Sequence, residues 1–278
     1  MKIAVLSGKG GAGKTFAAVN LACVALEACY VDCDVEEPNG HLFLKPLNVW
    51  TQRVSVMVPV FDVEKCTGCR VCVDFCRYNA LALARGKVLH FKEACHSCGG
   101  CVLLCPAAAA DYSTHEIGMI REGKSGGVRV LTGVLDAGEA TGVPIIRELA
   151  GRMPKEEICV IDCPPGSACP VMESIKEADY CLLVAEPTAF GVHDLAMALE
   201  LVRLFEKPAG ALLNKCLPGE NPARKLCMNT GLDILAEIPF DLETGRMISG
   251  GEAAVLKSPF LKAVFLGLLA KIKEEMQK

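Results

Sequence analysis

Eight residues, Gly8-Lys9-Gly10-Gly11-Ala12-Gly13-Lys14-Thr15, constrain this chain more than any other stretch. They follow Lys2-Ile3-Ala4-Val5-Leu6, an apolar run that reads as a buried strand. They precede Phe16 to Leu26, an Ala-rich apolar stretch that reads as a helix. A glycine loop set between a strand and a helix has the G-x-x-x-x-G-K-[ST] form of a phosphate-binding loop. Its glycines let backbone N–H groups turn inward around a phosphate chain, and the helix N-terminus adds partial positive charge. The spacing assigns residues 8–15 to a nucleotide, with Lys14 on the β- and γ-phosphates and the Thr15 hydroxyl on Mg²⁺.

Composition narrows the class. The 278 residues suit one large domain or two small ones, and 51% hydrophobic residues allow a sizeable core. The net charge of −4 comes without a basic tract, which argues against nucleic acid as an obligatory partner. No apolar run reaches the ~18–20 residues that a membrane span needs. Met1-Lys2 leads straight into the first strand without a signal peptide, so the expectation is a cytoplasmic protein. Seventeen cysteines in a reducing compartment point to metal rather than disulfides. Eight of them fall between Cys66 and Cys105, and the other nine lie mostly in apolar runs, where cysteine behaves as a small hydrophobe.

Those eight form two runs. Cys66, Cys69, Cys72 and Cys76 are spaced C-x₂-C-x₂-C-x₃-C, and Cys95, Cys98, Cys101 and Cys105 repeat the spacing and close on Pro106. The pattern resembles the bacterial two-cluster ferredoxins, in which the fourth cysteine of each run ligates the other cluster. It implies two [4Fe-4S] clusters, one on Cys66, Cys69, Cys72 and Cys105, the other on Cys95, Cys98, Cys101 and Cys76. Zinc normally takes its four ligands as two pairs, not as two runs of four. Cys76 is followed by Arg77 where the pattern usually has proline. The proline shapes the turn rather than binding iron, and a cation beside the second cluster would raise its potential. Between the runs, Ala80 to Leu83 and Lys87 to Phe91 read as a hairpin. Phe61 and Tyr112 bracket the unit as paired flanking strands would. His96 sits within the second run and reads as a surface residue near the cluster.

With its second lysine, Lys9, the glycine loop resembles the deviant Walker-A ATPases, K-G-G-x-G-K-[ST], the family of MinD, ParA and the nitrogenase iron protein. The resemblance implies that Lys9 crosses a dimer interface to the partner's nucleotide. It makes Asp32-Cys33-Asp34, at the end of a strand through Val31, the first switch, with Asp34 orienting the attacking water and Asp32 supporting it. Ile158 to Asp162 has the Walker-B form, so Asp162 would bind Mg²⁺ through water. Cys163-Pro164-Pro165-Gly166 resembles the second switch, D-x-P-P-G, with the Gly166 N–H offered to the γ-phosphate. Cys163 and Cys169 flank that switch, and packing or a free thiol is a plainer reading of them than an interfacial cluster. Tyr180 to Ala185 reads as another buried strand. Asn214, after the strand Ala209 to Leu213, takes the place of the family's adenine-pairing asparagine, which favours ATP. Leu235 to Asp241 resembles the family's late strand and base-side loop. Ser258 to Lys278 reads as a helix capped by Ser258 and Pro259. Its stripe of Phe260, Leu261, Val264, Phe265, Leu268, Leu269 and Ile272 suits docking on a core better than lying on a membrane.

The expected fold is an α/β P-loop NTPase, mostly parallel with helices on both faces, interrupted by a small α+β ferredoxin-like module. The segments are 1–59 and 113–278 for the ATPase and 60–112 for the insertion. Lys9, Lys14, Asp34 and Asp162 are its expected catalytic residues. The expected function is ATP hydrolysis coupled to the clusters in an ATP-dependent homodimer. Its output is low-potential electron transfer to a partner metalloprotein or redox protein, or cluster handling for one. The alternative is a positioning ATPase of the MinD/ParA kind with redox-sensing clusters. Amide ligation, known on the related fold, would need a glutamine-amidotransferase domain, for which the chain has no room.

Overall fold

Strands buried on both faces need no alternation of polar and apolar residues, and short continuous apolar runs form the centre of this fold. In chain order, β1 (Lys2–Leu6) leads through the glycine loop into α1 (Lys14–Val24), then β2 (Ala28–Asp32) and the short α2 (Gly40–Leu44). β3 (Leu47–Phe61) leaves for a small unit made of α3 (Val71–Phe75), β4 (Leu81–Ala84), β5 (Lys87–His90) and α4 (Gly100–Leu103), and β6 (Ala110–Ser125) returns from it. Next come β7 (Val128–Leu135), α5 (Val143–Arg152), β8 (Ile158–Asp162), α6 (Cys169–Lys176), β9 (Tyr180–Ala185) and α7 (Ala189–Leu204). β10 (Ala209–Cys216), α8 (Pro222–Thr230), β11 (Asp233–Pro239), α9 (Leu242–Ser249) and α10 (Pro259–Glu275) complete the chain. These elements come from a computed structural model that describes residues 1–278 except 26, 156 and 278. The first helix ends at Val24 and the last at Glu275; Leu26 and Lys278, where the sequence reading ended them, lie outside the described residues.

The main sheet has the order β11-β10-β9-β1-β8-β2-β7-β6-β3, and β4-β5 is a separate hairpin. From β11 to β7 all pairings are parallel, so the fold is an α/β P-loop architecture with a mostly parallel sheet. Helices cover both faces. One core lies beneath α5 to α8 and takes in Cys29, Cys33, Cys159, Cys163, Cys181 and Cys227 as buried small hydrophobes. The other is built largely from α1 and α10.

β3 and β6 pair antiparallel along their whole length, from Leu47↔Lys124 to Phe61↔Ala110, with a register irregularity between Val54 and Ser55. β6 pairs with β7 only over Gly118↔Leu135 to Ser125↔Val128. Leu135 is the carboxyl end of β7, so the ribbon runs on past that edge of the sheet as a two-stranded arm. Residues 62–109 follow its tip, where the Asp62 N–H donates to the Ala109 carbonyl at 2.8 Å. The junctions expected at 59/60 and 112/113 fall inside paired strands. Nothing in the sequence marked β6 beyond Tyr112, because Gly118, Gly123 and interleaved charges break its apolar alternation. Tertiary pairing outweighs local propensity here.

The last helix docks on the core. The Ser258 hydroxyl accepts the Leu261 N–H, and Leu261, Phe265, Leu268, Leu269 and Ile272 are buried. Phe260, counted in the stripe from sequence, faces solvent instead. Phe265 meets Phe16 of α1 edge-on, ring centroids 5.8 Å apart. Among the described residues no helix is long and apolar enough to cross a membrane. Replacing Phe265 with Ala is expected to cost about 3–5 kcal/mol, read as a lower urea midpoint at unchanged m-value.

Candidate functional site

The glycine loop is built for close approach. Gly13 caps α1 in the left-handed region at φ 100°, and a Cβ there would collide with the Asn214 amide. Gly8 lies against the backbone of Asp194 in α7, where a Cβ would have no space. Lys14 is only 7% exposed, although it carries a charge. The Gly166 N–H, expected for a terminal phosphate, donates here to the Ser7 carbonyl at 3.3 Å.

Two carboxylates converge beneath the loop. Asp32 and Asp162 are in-register partners on β2 and β8, both essentially without exposure. Asp32 accepts the N–H groups of Gly40 at 3.0 Å and Asp34 at 3.3 Å. Asp162 accepts the Tyr30 hydroxyl at 2.8 Å on Oδ2, while its buried Oδ1 has no partner among the described residues. Burial raises the pKa of both; Thr15, Lys14 and Tyr30 pull that of Asp162 back. A buried hard oxygen without a donor, beside the Thr15 hydroxyl, fits Mg²⁺ held through its hydration water. Asp34 stands at the mouth. Burial pushes its pKa to about 6, opposed by Lys14 and reinforced by Asp162, Glu37 and Glu36. Lys14, Thr15, Asp34 and Asp162 therefore form one cluster.

Lys9 and Asn214 are engaged elsewhere. Lys9 Nζ pairs with Glu186 of the same chain at 2.9 Å, 5.7 Å above the Phe190 ring. The buried Asn214 lies within β10, not after it, and donates to the Ala12 carbonyl at 3.0 Å. It braces the loop. Cys163 is fully buried on β8's end, and burial holds its thiol well above the usual range, whereas Cys169 is exposed. Tyr30 and Glu186 escaped the sequence reading. A tyrosine inside a buried strand two residues before Asp32 was the available signal, because its hydroxyl must find a partner.

The cysteine runs come together at the tip of the arm. Cys66, Cys69, Cys72 and Cys105 line one cavity with Phe61, Val88 and Ala109. Burial raises the Cys72 pKa, with Cys105 and Cys66 beside it adding to the effect. In the other group, Cys95 is raised by burial and has Cys76 and Cys98 as neighbours, and Cys101 is raised by burial with Cys95 and Cys98 nearby. Each neighbourhood draws on both runs. No group of three or more His, Cys, Asp or Glu among the described residues is placed to hold a metal ion. A cubane is several atoms across, however, so its four thiolates ring a cavity rather than meet at a point. An all-thiol donor set suits it. The Ala109 N–H donates to Cys105 Sγ at 3.2 Å, the kind of contact that tunes cluster potentials. His96 stacks on Tyr78 at 3.7 Å.

A link runs from Val35, next to Asp34, to the arm. The Leu135 N–H donates to the Val35 carbonyl at 2.8 Å. In the loop beyond, Glu139 contacts His115 of β6 at 2.9 Å, and Asp136 pairs with Arg53 of β3.

The profile of the CobQ/CobB/MinD/ParA nucleotide binding domain matches residues 3–254. A Methanocaldococcus jannaschii protein described as uncharacterized is 30% identical over 257 residues, 90% of this chain and 88% of its own. An iron-sulfur cluster carrier protein of Pyrococcus horikoshii is 26% identical over 301 residues, 100% of this chain and 87% of its own. Among solved structures, the Pyrococcus furiosus cell division ATPase MinD shares the fold, with a TM-score of 0.62 at 20% identity over 98% of each chain.

The position of Asn214 makes a prediction. Asn214→Ala removes one buried hydrogen bond of about 0.5–1.5 kcal/mol and should weaken ATP and GTP binding alike, by about two- to tenfold. Selective loss of ATP in a fluorescent-nucleotide competition would instead assign the residue to the base.

Proposed function

The chain belongs to the CobQ/CobB/MinD/ParA nucleotide-binding family, and from that premise we propose that it is an ATP-hydrolysing iron–sulfur protein whose nucleotide state governs two [4Fe-4S] clusters. One observation carries the reading: the arm that bears the eight cysteines leaves the main sheet at the carboxyl edge, the edge that holds the glycine loop and switches. Open α/β sheets bind ligands at that edge. The Pyrococcus horikoshii relative, an iron-sulfur cluster carrier protein, is consistent with cluster chemistry.

In this reading the loop N–H groups and Lys14 hold the phosphates, and Thr15 and Asp162 would hold a hydrated Mg²⁺, which would supply positive charge to the terminal phosphoryl group. Asp34, ionised, orients water in line. Gly166 exchanges the Ser7 carbonyl for the terminal phosphate and returns after hydrolysis. Lys9 reaches the nucleotide of a second copy. Cys66, Cys69, Cys72 and Cys105 would hold one cluster and Cys76, Cys95, Cys98 and Cys101 the other. The clusters supply one-electron storage at low potential. The contacts from Val35 through Leu135 and Glu139 to His115 give the switches a physical connection to the arm. The output is electron delivery to, or cluster handling for, a partner metalloprotein. A positioning ATPase would keep the nucleotide chemistry and leave the cluster potentials indifferent to it.

Two measurements test this. Asp34 must be ionised to orient water, and its pKa lies near 6. The kcat/KM for ATP should be flat above that pH and fall about tenfold per unit below it, and Asp34→Asn should lose both the slope and most of the activity. The second is anaerobic redox titration of both clusters with and without MgATP. A one-electron potential moves ~59 mV per tenfold change in relative affinity for the two redox states; a shift of that size or more is expected, and unchanged potentials would remove the proposed coupling.

A further inference from the structure

We propose that Glu186 is a latch that holds Lys9 back from the dimer contact and so sets the threshold for ATP-driven pairing. The proposal rests on the reading above, in which Lys9 reaches a second copy's nucleotide. Glu186 ends just beyond β9, with its side chain 16% exposed. One carboxylate oxygen takes the Lys9 ammonium at 2.9 Å, and the other takes Lys215 at 3.5 Å. Lys215 also donates to the Gly11 carbonyl at 2.7 Å, so the carboxylate is tied to the loop from two sides. Its own position is fixed. The Thr188 hydroxyl lies 3.3 Å from the carboxylate and caps α7 by accepting the Gly191 N–H at 2.9 Å, and the Thr188 N–H donates to the Glu186 carbonyl at 2.8 Å. The helix N-terminus just beyond favours the negative charge. Its pKa is lowered, by Lys9 first, so the carboxylate stays ionised.

A carboxylate stands in here for a phosphate. Lys9 exchanges one anion for another when a terminal phosphoryl group comes within reach across the interface, and a nucleotide without that group offers nothing to trade. The Lys9 side chain is 36% exposed, and an ion pair this wet shifts an equilibrium by about fivefold at most. That is weak enough for ATP to break. Two latches open for each dimer, so the effects multiply, to about 25-fold at most and roughly tenfold for pairs of about threefold each.

The test uses the full chain, purified anaerobically, with sedimentation equilibrium in the Mg²⁺ complex of the non-hydrolysable analogue AMP-PNP. Glu186→Gln is expected to lower the dimer dissociation constant by roughly tenfold, and Glu186→Asp, which keeps the charge, to lower it less. The gain must vanish in a Lys9→Ala background, a dependence that a merely structural role for Glu186 would not produce. If the wild type pairs and Glu186→Gln pairs no better, the latch is wrong and the pairing stands. If neither pairs, the pairing reading falls and takes the latch with it.

Discussion

Two carboxylates buried side by side hold this structure to its purpose. Asp32 and Asp162 are in register at the ends of adjacent central strands, out of water. Burying like charges together is unfavourable unless counter-charge and donors meet them. Lys14, Thr15, Tyr30 and the N–H groups of residues 34 and 40 do this in part. One oxygen of Asp162 has no donor among the described residues. The site is thus short of positive charge, which fits a hydrated Mg²⁺. The stretch from residue 32 to 34 and α2 take their positions from the same pair, since the Asp34 and Gly40 N–H groups donate to Asp32.

The cysteine unit depends on that edge in a different way. It is not tethered by linkers. It grows from two strands that remain hydrogen-bonded into the sheet, with Arg53, Asp136, His115 and Glu139 bracing the base of the arm. Its two cysteine groupings each draw on both runs, which fastens the first and last thirds of the unit together without an extensive core. The core there consists of little more than Cys72, Leu81 and Cys101.

How much of this was legible beforehand followed from locality. The glycine loop, the apolar strands and the Ser258 cap are set by neighbours in sequence, and they stand where the residues indicated. The parallel α/β fold followed from the same alternation of strand and helix. β6 did not show itself, because its pairing with β3 links residues up to 77 positions apart and tolerates Gly118 and Gly123. The site was harder to read than the fold. Resemblance sets Asn214 beside the base, and its amide also meets the Ala12 carbonyl, a contact across 202 positions. Resemblance gives Lys9 to a partner copy, and within its own chain the residue finds Glu186, more than 170 residues away. Contacts between the ends of different strands are invisible to any local pattern.

The irregularity between Val54 and Ser55 lies where the arm parts from β7. Beyond it, residues 54–61 and 110–117 extend for about 25 Å at ~3.3 Å per residue. A two-stranded ribbon has no third strand to stiffen it, and a bulge is where such ribbons bend and twist. The arrangement is that of a lever pivoted at its root. A tilt of about 5° there would carry the tip through about 2 Å over that length. A small displacement at the root of such a ribbon is enlarged at its cysteine-bearing tip without any large change in the domain itself.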